Sequence, residues 1–131
     1  MAEMSKEEFI IREMCAVFGQ ESNRNYSAYN GDSSAGGAYQ FMPGTWDEWA
    51  KASGYGEWAG VHPSSVPPEV QDAVMYYKFS DLYDQFKARG ASDADMALYM
   101  PNSHYGGHNL GLYHYDKGFL PDTPEESNGR E

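Results

Sequence analysis

The stretch that decides the fold runs from residue 5 to residue 22 and reads SKEEFIIREMCAVFGQES. Ser5 followed three residues later by Glu8 is a capping box, which predicts that a helix begins near Lys6. Apolar residues then recur at helical spacing: Phe9, Ile10, Met14, Val17 and Phe18. The pattern loosens at Gly19 and closes at Glu21, so we predict one amphipathic helix that ends there.

A polar, glycine-rich segment follows this helix, from residue 23 to residue 38. Asn30-Gly31 within it is a strong turn signal. The segment is therefore predicted to be a loop, or at most a short hairpin. Pro43 suits the first turn of a second helix, which we expect to stop near Gly54.

A long third helix is predicted after an irregular stretch. Ser65 is expected to cap it, with Pro67 and Pro68 in its first turn and Gly90 just past its end. Its apolar residues lie on several faces, so the helix is expected to be central and largely buried.

The last part of the chain carries weaker signals. Ser92 with Asp95 predicts a short fourth helix that runs to Met100 and is ended by Pro101. Residues 102–116 alternate Gly, His, Asn and Tyr and are predicted to be irregular or a single helical turn.

Length and composition indicate one globular domain. The chain has 131 residues, 40% of them hydrophobic, which suits a single core. We predict a mainly α, single domain over residues 1–117, with a loop-rich or small β segment after the first helix, and an acidic tail over residues 118–131. Cys15 is the only cysteine, so no intrachain disulfide can form.

The charge of the chain excludes one class of partner. Its formal net charge is −11, which argues against nucleic-acid binding, because phosphate contacts need basic residues. No stretch is long enough to span a bilayer, and the N-terminal residues lack the pattern of a signal peptide. We therefore expect no membrane insertion, synthesis in the cytoplasm and no export by the usual route.

Glu21 is the candidate catalytic residue. It shares one helix face with Ile10, Met14 and Val17, and it lies at the negative, C-terminal end of that helix. Desolvation and the helix dipole would both raise its pKa, which suits an acid that must protonate a glycosidic oxygen. The spacing alone favours the alternative, in which the side chain points into solvent.

The segment after Glu21 resembles a known family. Glu21-Ser22-Asn23-Arg24-Asn25-Tyr26-Ser27 and then Gly36-Gly37-Ala38-Tyr39-Gln40-Phe41-Met42-Pro43-Gly44-Thr45-Trp46 follow in order. This order is similar to that of lytic transglycosylases and resuscitation-promoting factors, in the lysozyme-like superfamily. The resemblance covers residues 9–50 well and the rest loosely. One residue more separates Gly37 from Gln40 than in resuscitation-promoting factors.

The resemblance implies roles for particular residues. Glu21 would be the single acid/base, Ser22 would open the loop beside it, and Gln40, flanked by Tyr39 and Phe41, would line a glycan groove. For Phe41, Trp46 and Trp49, core packing is the favoured alternative. The glycines at 36 and 37 are either a flexible turn or a place where backbone approaches the sugar.

A later family motif, Ala-Leu-x-x-Tyr-Asn-x-Gly, is only partly kept at residues 97–104. Pro101 stands where the family has Tyr, and His104 stands where it has Gly. Tyr99, Asn102 and His104 are the candidates for glycan contact on this far wall.

The carboxylates after Glu21 bear on the mechanism. A hydrolase needs a second carboxylate across the scissile bond. Asp32 sits in a turn, and Asp47 and Glu48 lie early in a helix, where structural roles explain them. A single acid favours the transglycosylase reaction between N-acetylmuramic acid and N-acetylglucosamine, which ends in a 1,6-anhydro sugar.

No metal or other cofactor is expected. His104, His108 and His114 with Asp116 could suggest a metal site, but the pair of glycines at 106 and 107 makes a helical His-x-x-x-His arrangement unfavourable.

The expected partner is the glycan strand of peptidoglycan. Two alternatives stay open: a muramidase of the same fold, and a glycan-binding or structural component with little turnover. The acidity, small size and absence of a signal peptide lead us to expect a bacteriophage origin and action on the cell wall. The protein would be either a virion-associated protein, with other virion proteins as partners, or an endolysin.

Overall fold

The computed structural model describes residues 4–22, 25–105 and 108–120; the side chains of residues 20–22, 102 and 105 lie outside the described part. The described residues contain five α-helices: α1 (Lys6–Ser22), α2 (Pro43–Ala52), α3 (Pro68–Ala88), α4 (Asp93–Tyr105) and α5 (Leu110–Lys117). Two short 3-10 helices, Gly56–Trp58 and Pro63–Ser65, lie between α2 and α3. The predicted mainly α class is confirmed. None of the described helices is both long enough and apolar enough to cross a membrane.

The predicted start and end of α1 are confirmed. The backbone N–H of Glu8 donates to Ser5 Oγ at 3.1 Å, which satisfies one of the amide groups left open at a helix start. Ile10 and Val17 are 0% and 1% exposed and form the buried face of the helix. The helix continues to Ser22, so its last turn carries Glu21.

The described part of the segment between α1 and α2, residues 25–42, is a series of turns, as predicted. It holds two isolated β-bridges, from Tyr29 to Gly36 and from Gly36 to Phe41. The Asn30 side chain accepts from the backbone N–H of Asp32 at 3.0 Å, which makes an Asx turn at the predicted Asn-Gly position.

The prediction that Ser65 caps the start of α3 is wrong. Ser65 does not cap this helix; it ends the preceding 3-10 helix, where its N–H donates to His62 O. Val66 precedes Pro67 and is extended (φ −84°, ψ 140°), as the proline ring requires, so the helix cannot reach back to Ser65. Its end is confirmed, because Gly90 has φ +78° and stops the helix.

The prediction that Pro101 ends the fourth helix is wrong. Ser92 and Asp95 form the predicted reciprocal cap, but α4 runs on through Pro101 to Tyr105. Helix α5 also occupies much of the stretch predicted to be irregular. The Gly111 N–H donates to the buried Ser103 Oγ at 3.0 Å, and a Cβ at Gly111 would overlap Tyr99 O. This close packing of α5 on α4 offsets the amide hydrogen bond that Pro101 cannot make.

The chain divides into two compact units. One contains the residues up to Phe9 and from Phe79 onward, and the other is Ile10–Lys78. Buried apolar side chains of the first unit include Phe79, Leu82, Phe86, Met96, Met100 and Leu112. Those of the second unit include Ile10, Val17, Phe41, Trp46, Val74 and Met75. The predicted boundary between a domain over 1–117 and an acidic tail stays a prediction, and residues 121–131 lie outside the described part.

Candidate active site

The predicted acid/base, Glu21, lies in the last turn of α1. The α1 backbone extends through Glu21 and Ser22, but both side chains lie outside the described residues. The catalytic role of Glu21 and the contact role of Ser22 therefore stay predictions. The neighbourhood that can be described is the second unit, which contains the residues before and after this turn.

Tyr39 is held beneath the surface by a carboxylate from α3. Its side chain is 3% exposed, and its hydroxyl donates to Asp72 Oδ1 at 2.7 Å. The Tyr26 hydroxyl donates to both oxygens of Asp72 at 2.9 Å. Burial, together with the bond to Asp72, raises the pKa of Tyr26 to about 12 and that of Tyr39 further. Both phenols therefore stay protonated donors at neutral pH.

These three polar residues line a cavity of about 390 Å³ against α1. The α1 wall consists of Ile11, Met14, Cys15 and Phe18. Phe18 contacts both tyrosines, with ring centroids 4.9 Å from Tyr26 and 5.8 Å from Tyr39. The cavity volume falls in the range of small-molecule sites, and apolar walls with a few convergent polar groups are typical of such sites.

A buried glutamine fixes the turn that carries Tyr39. Gln71 is 1% exposed, and its Oε1 accepts from the Ala38 N–H at 2.9 Å. Its Nε2 donates to Tyr26 O at 3.0 Å and to Val66 O at 2.8 Å. One side chain thus joins the turn, the segment after α1 and the start of α3 by three hydrogen bonds.

Gly36 and Gly37 are required by packing within the chain. A Cβ at Gly36 would overlap the His62 ring, and one at Gly37 would overlap Gln71 Oε1. Gly37 also has φ +80°, a conformation that other residues adopt only with strain. The described contacts therefore account for both glycines without a ligand.

Gln40 and Phe41, the other predicted groove residues, have different surroundings. Gln40 is partly exposed with φ +53°, and its Nε2 donates to Gly37 O at 3.0 Å. Phe41 is 2% exposed and packs edge-on against Trp46 at 5.3 Å, and Trp46 donates from Nε1 to Trp58 O. The geometry of Phe41 matches the core-packing alternative.

The predicted far-wall residues belong to the other unit. Tyr99 is 9% exposed and its hydroxyl donates to Phe119 O at 2.8 Å. His104 is 8% exposed, with its ring edge-on to Phe79 at 6.2 Å. The side chain of Asn102 lies outside the described residues. Glycan contact by these three residues stays a prediction.

The candidate second carboxylates have structural surroundings. Asp47 Oδ1 accepts from the Gly60 N–H at 2.8 Å. Asp32 is exposed in the turn organised by Asn30, and Glu48 is exposed on α2.

Burial raises the pKa of a different carboxyl, Glu13, to about 7. Glu13 lies three residues after Ile10 and four before Val17, so it shares their helix face. Sequence reasoning missed it because it considered only the apolar members of that face.

The histidines considered for a metal site have other contacts. His108 Nε2 lies 2.7 Å from Asp81 Oδ2, and Asp116 pairs with Arg89 at 2.8 Å. Within the described part of the chain, no group of three or more His, Cys, Asp or Glu side chains is placed to hold a metal ion.

Asp72 and Gln71 are the site residues that the sequence did not reveal. Both lie on α3, which was recognised as a buried helix, and both are polar residues next to the apolar Val70 and Val74. Polar side chains on a buried helix need hydrogen-bond partners. Their presence on α3 was therefore the signal in the sequence that could have pointed to these two residues.

Comparison with known proteins finds partial relatives. They include the probable transglycosylase SceD of Staphylococcus aureus strains Newman, Mu3 and USA300. Each is 44% identical to this chain over 55 residues, which make up 42% of this chain and 22% of the relative. No family model matches the chain, and no solved structure matches it.

The relationship is therefore partial and transglycosylase-like. The matched part spans less than a quarter of the length of these relatives.

Proposed function

We propose that this chain is a peptidoglycan lytic transglycosylase, with Glu21 as its single acid/base. The observation that carries the proposal is the 44% identity over 55 residues to proteins named probable transglycosylases. Lysozyme-like architecture, glycan strands as substrate, and action on the cell wall are parts of the same proposal.

The reaction follows from one carboxyl that acts twice. Glu21 in its neutral form protonates the oxygen that joins C1 of N-acetylmuramic acid to N-acetylglucosamine, and the C1–O bond breaks. The Glu21 carboxylate then takes the proton of the C6 hydroxyl as O6 attacks C1. The products are a 1,6-anhydro end and a free 4-hydroxyl, Glu21 is protonated again, and no water is consumed.

The position of Glu21 on α1 supports this role. The last turn of α1 contains no basic residue, and the partial negative charge of a helix C-terminus disfavours a carboxylate there. Both features favour the protonated form that the first step needs. The turn with Tyr39 and Gln40, which we propose as a wall of the groove, belongs to the same compact unit as Glu21.

The surroundings of two other carboxylates support a single-acid mechanism. Asp47 accepts from the Gly60 backbone and Asp72 accepts from two tyrosine hydroxyls, so both are engaged in contacts within the chain. A hydrolase would need one of the carboxylates as nucleophile or base.

The test is digestion of purified sacculi by the wild type, Glu21→Gln and Glu7→Gln. Glu7 is exposed in the first turn of the same helix, so its variant is a matched control with wild-type activity. Loss of general acid/base catalysis should lower the rate of Glu21→Gln roughly 100- to 10,000-fold.

The products separate the alternatives. Mass spectrometry should find anhydro ends that are one water lighter than reducing ends. Reducing ends alone would identify a muramidase. Undiminished lysis by Glu21→Gln would show that another group is the acid, and binding without any release of products would indicate a glycan-binding component.

A further inference from the structure

The described lining of the cavity against α1 is apolar or aromatic apart from one carboxylate. Ile11, Met14, Cys15 and Phe18 follow the i, i+3, i+4, i+7 spacing of one helix face. From Ile11 to Phe18 this wall is about 10 Å long, at 1.5 Å per residue. Among the described lining residues, Asp72 is the one carboxylate, and none is basic.

Asp72 has acceptor capacity beyond its two tyrosines. Among the described contacts, Oδ1 accepts from both Tyr26 and Tyr39, whereas Oδ2 accepts only a share of the Tyr26 hydroxyl. A carboxylate offers about four lone-pair directions, so Oδ2 can accept a further donor. The hydrogen bonds from the two tyrosines hold the carboxylate in place, and all three residues line the cavity.

An apolar wall beside a carboxylate favours a ligand that combines an alkyl chain with a cationic group. A methylene chain would bury its surface against Ile11, Met14 and Phe18, and a cationic head would bond to Asp72. The formal net charge of the chain is −11, so the protein as a whole attracts cations and repels anions. Neutral apolar molecules would fill the same space but leave the carboxylate without a charged partner.

We propose that this cavity binds a primary alkylammonium group. If the proposed function holds, on which this second step rests, the source of that group is the side-chain amine of the diamino acid in the peptide stem of peptidoglycan. The cavity would then bind the peptide stem while Glu21, in the last turn of α1, cleaves the glycan strand.

The first experiment uses simple probes on the full chain with ¹³C-labelled methionine methyl groups. At pH 7, n-pentylamine is compared with pentan-1-ol, which has the same chain and no charge. The Met14 methyl resonance should shift with pentylamine, and that of Met96, which is buried in the other unit, should not. We expect at least tenfold tighter binding of the amine than of the alcohol.

Asp72→Asn is the matched variant, since its side-chain oxygen can still accept from a tyrosine. It should reduce the affinity for pentylamine at least tenfold and leave that for pentanol unchanged. Equal binding of the two probes by the wild type, or no Met14 shift at 100 mM amine, would overturn the proposal. The comparison of probes on the wild type decides the matter even if the variant does not fold.

The second experiment tests the source of the amine. A stem tetrapeptide with a free ε-amine is compared with the same peptide acetylated at that amine, on wild type and Glu21→Gln. Binding of the free peptide alone, equal in both proteins, supports the stem as ligand, whereas equal binding of both peptides refutes it. Binding without cleavage of sacculi would refute the enzyme while leaving the cation site intact.

Discussion

Replacing Gln71 with methionine should destabilise the fold by about 3 kcal/mol. The side chain is 1% exposed and makes three hydrogen bonds, to Ala38 N, Tyr26 O and Val66 O. Methionine has a similar volume but supplies none of them. At a net value of about 1 kcal/mol per bond, the sum is a large part of the roughly 5–15 kcal/mol that stabilises a domain.

Urea unfolding measures this loss, and thermal unfolding should show a midpoint about 10 °C lower. Gln85 is a matched control on the same helix, because it is partly exposed and its Nε2 makes one bond, to Asp81. Gln85→Met should change stability by less than about 0.5 kcal/mol. If Gln71→Met is as stable as the control, Gln71 does not hold the turn, and our account of how Tyr39 is positioned is wrong.

Two further predictions concern the same unit. Gly37→Ala should lower the free energy of unfolding by about 2 kcal/mol or more, because φ is +80° and the added Cβ would meet Gln71. The control Gly44→Ala, with open space around the added Cβ, should be neutral or slightly stabilising. Equal urea midpoints for the two variants would contradict this prediction. The pKa of Glu13 is raised to about 7, so the folded chain keeps a proton that the unfolded chain loses near pH 4.5, and stability should fall as pH rises between these values. Glu13→Gln should therefore be more stable than wild type by about 1–2 kcal/mol at pH 8 and equal to it at pH 4, after allowance for solvent screening; a stability difference independent of pH would refute the shift.

Local signals were sufficient to predict one end of each of three helices. The beginning of α1 has its own cap at Ser5, α2 begins at a proline, and α3 ends at a glycine with positive φ. Each of these signals acts within one turn of the helix that it limits. They therefore need no information from the rest of the chain.

The predictions for α4 and α5 were wrong because contacts between the two helices determine where each helix begins and ends. Pro101 is a sound local stop signal, but α4 continues because Gly111 of α5 packs against Tyr99 and Ser103. Gly111 comes eight positions after Ser103, and no property of the proline indicates this contact. Helix α5 is a second example. Its residue Gly111 lies in a stretch whose composition predicts irregular structure, but the absence of a side chain there permits close helix packing.

The site shows the same division between local and distant information. Tyr39 and Gln40 are predicted as groove residues because they lie within residues 9–50, where the sequence resembles a family. The groups that hold their turn, Gln71 and Asp72, lie outside that range, on a helix whose burial was predicted but whose polar residues were not interpreted. The order of residues in a short motif can therefore be read from the sequence while the geometry of the motif depends on another helix. The proposed alkylammonium site rests on this arrangement, because Asp72 accepts from both tyrosines and lines the same mostly apolar cavity.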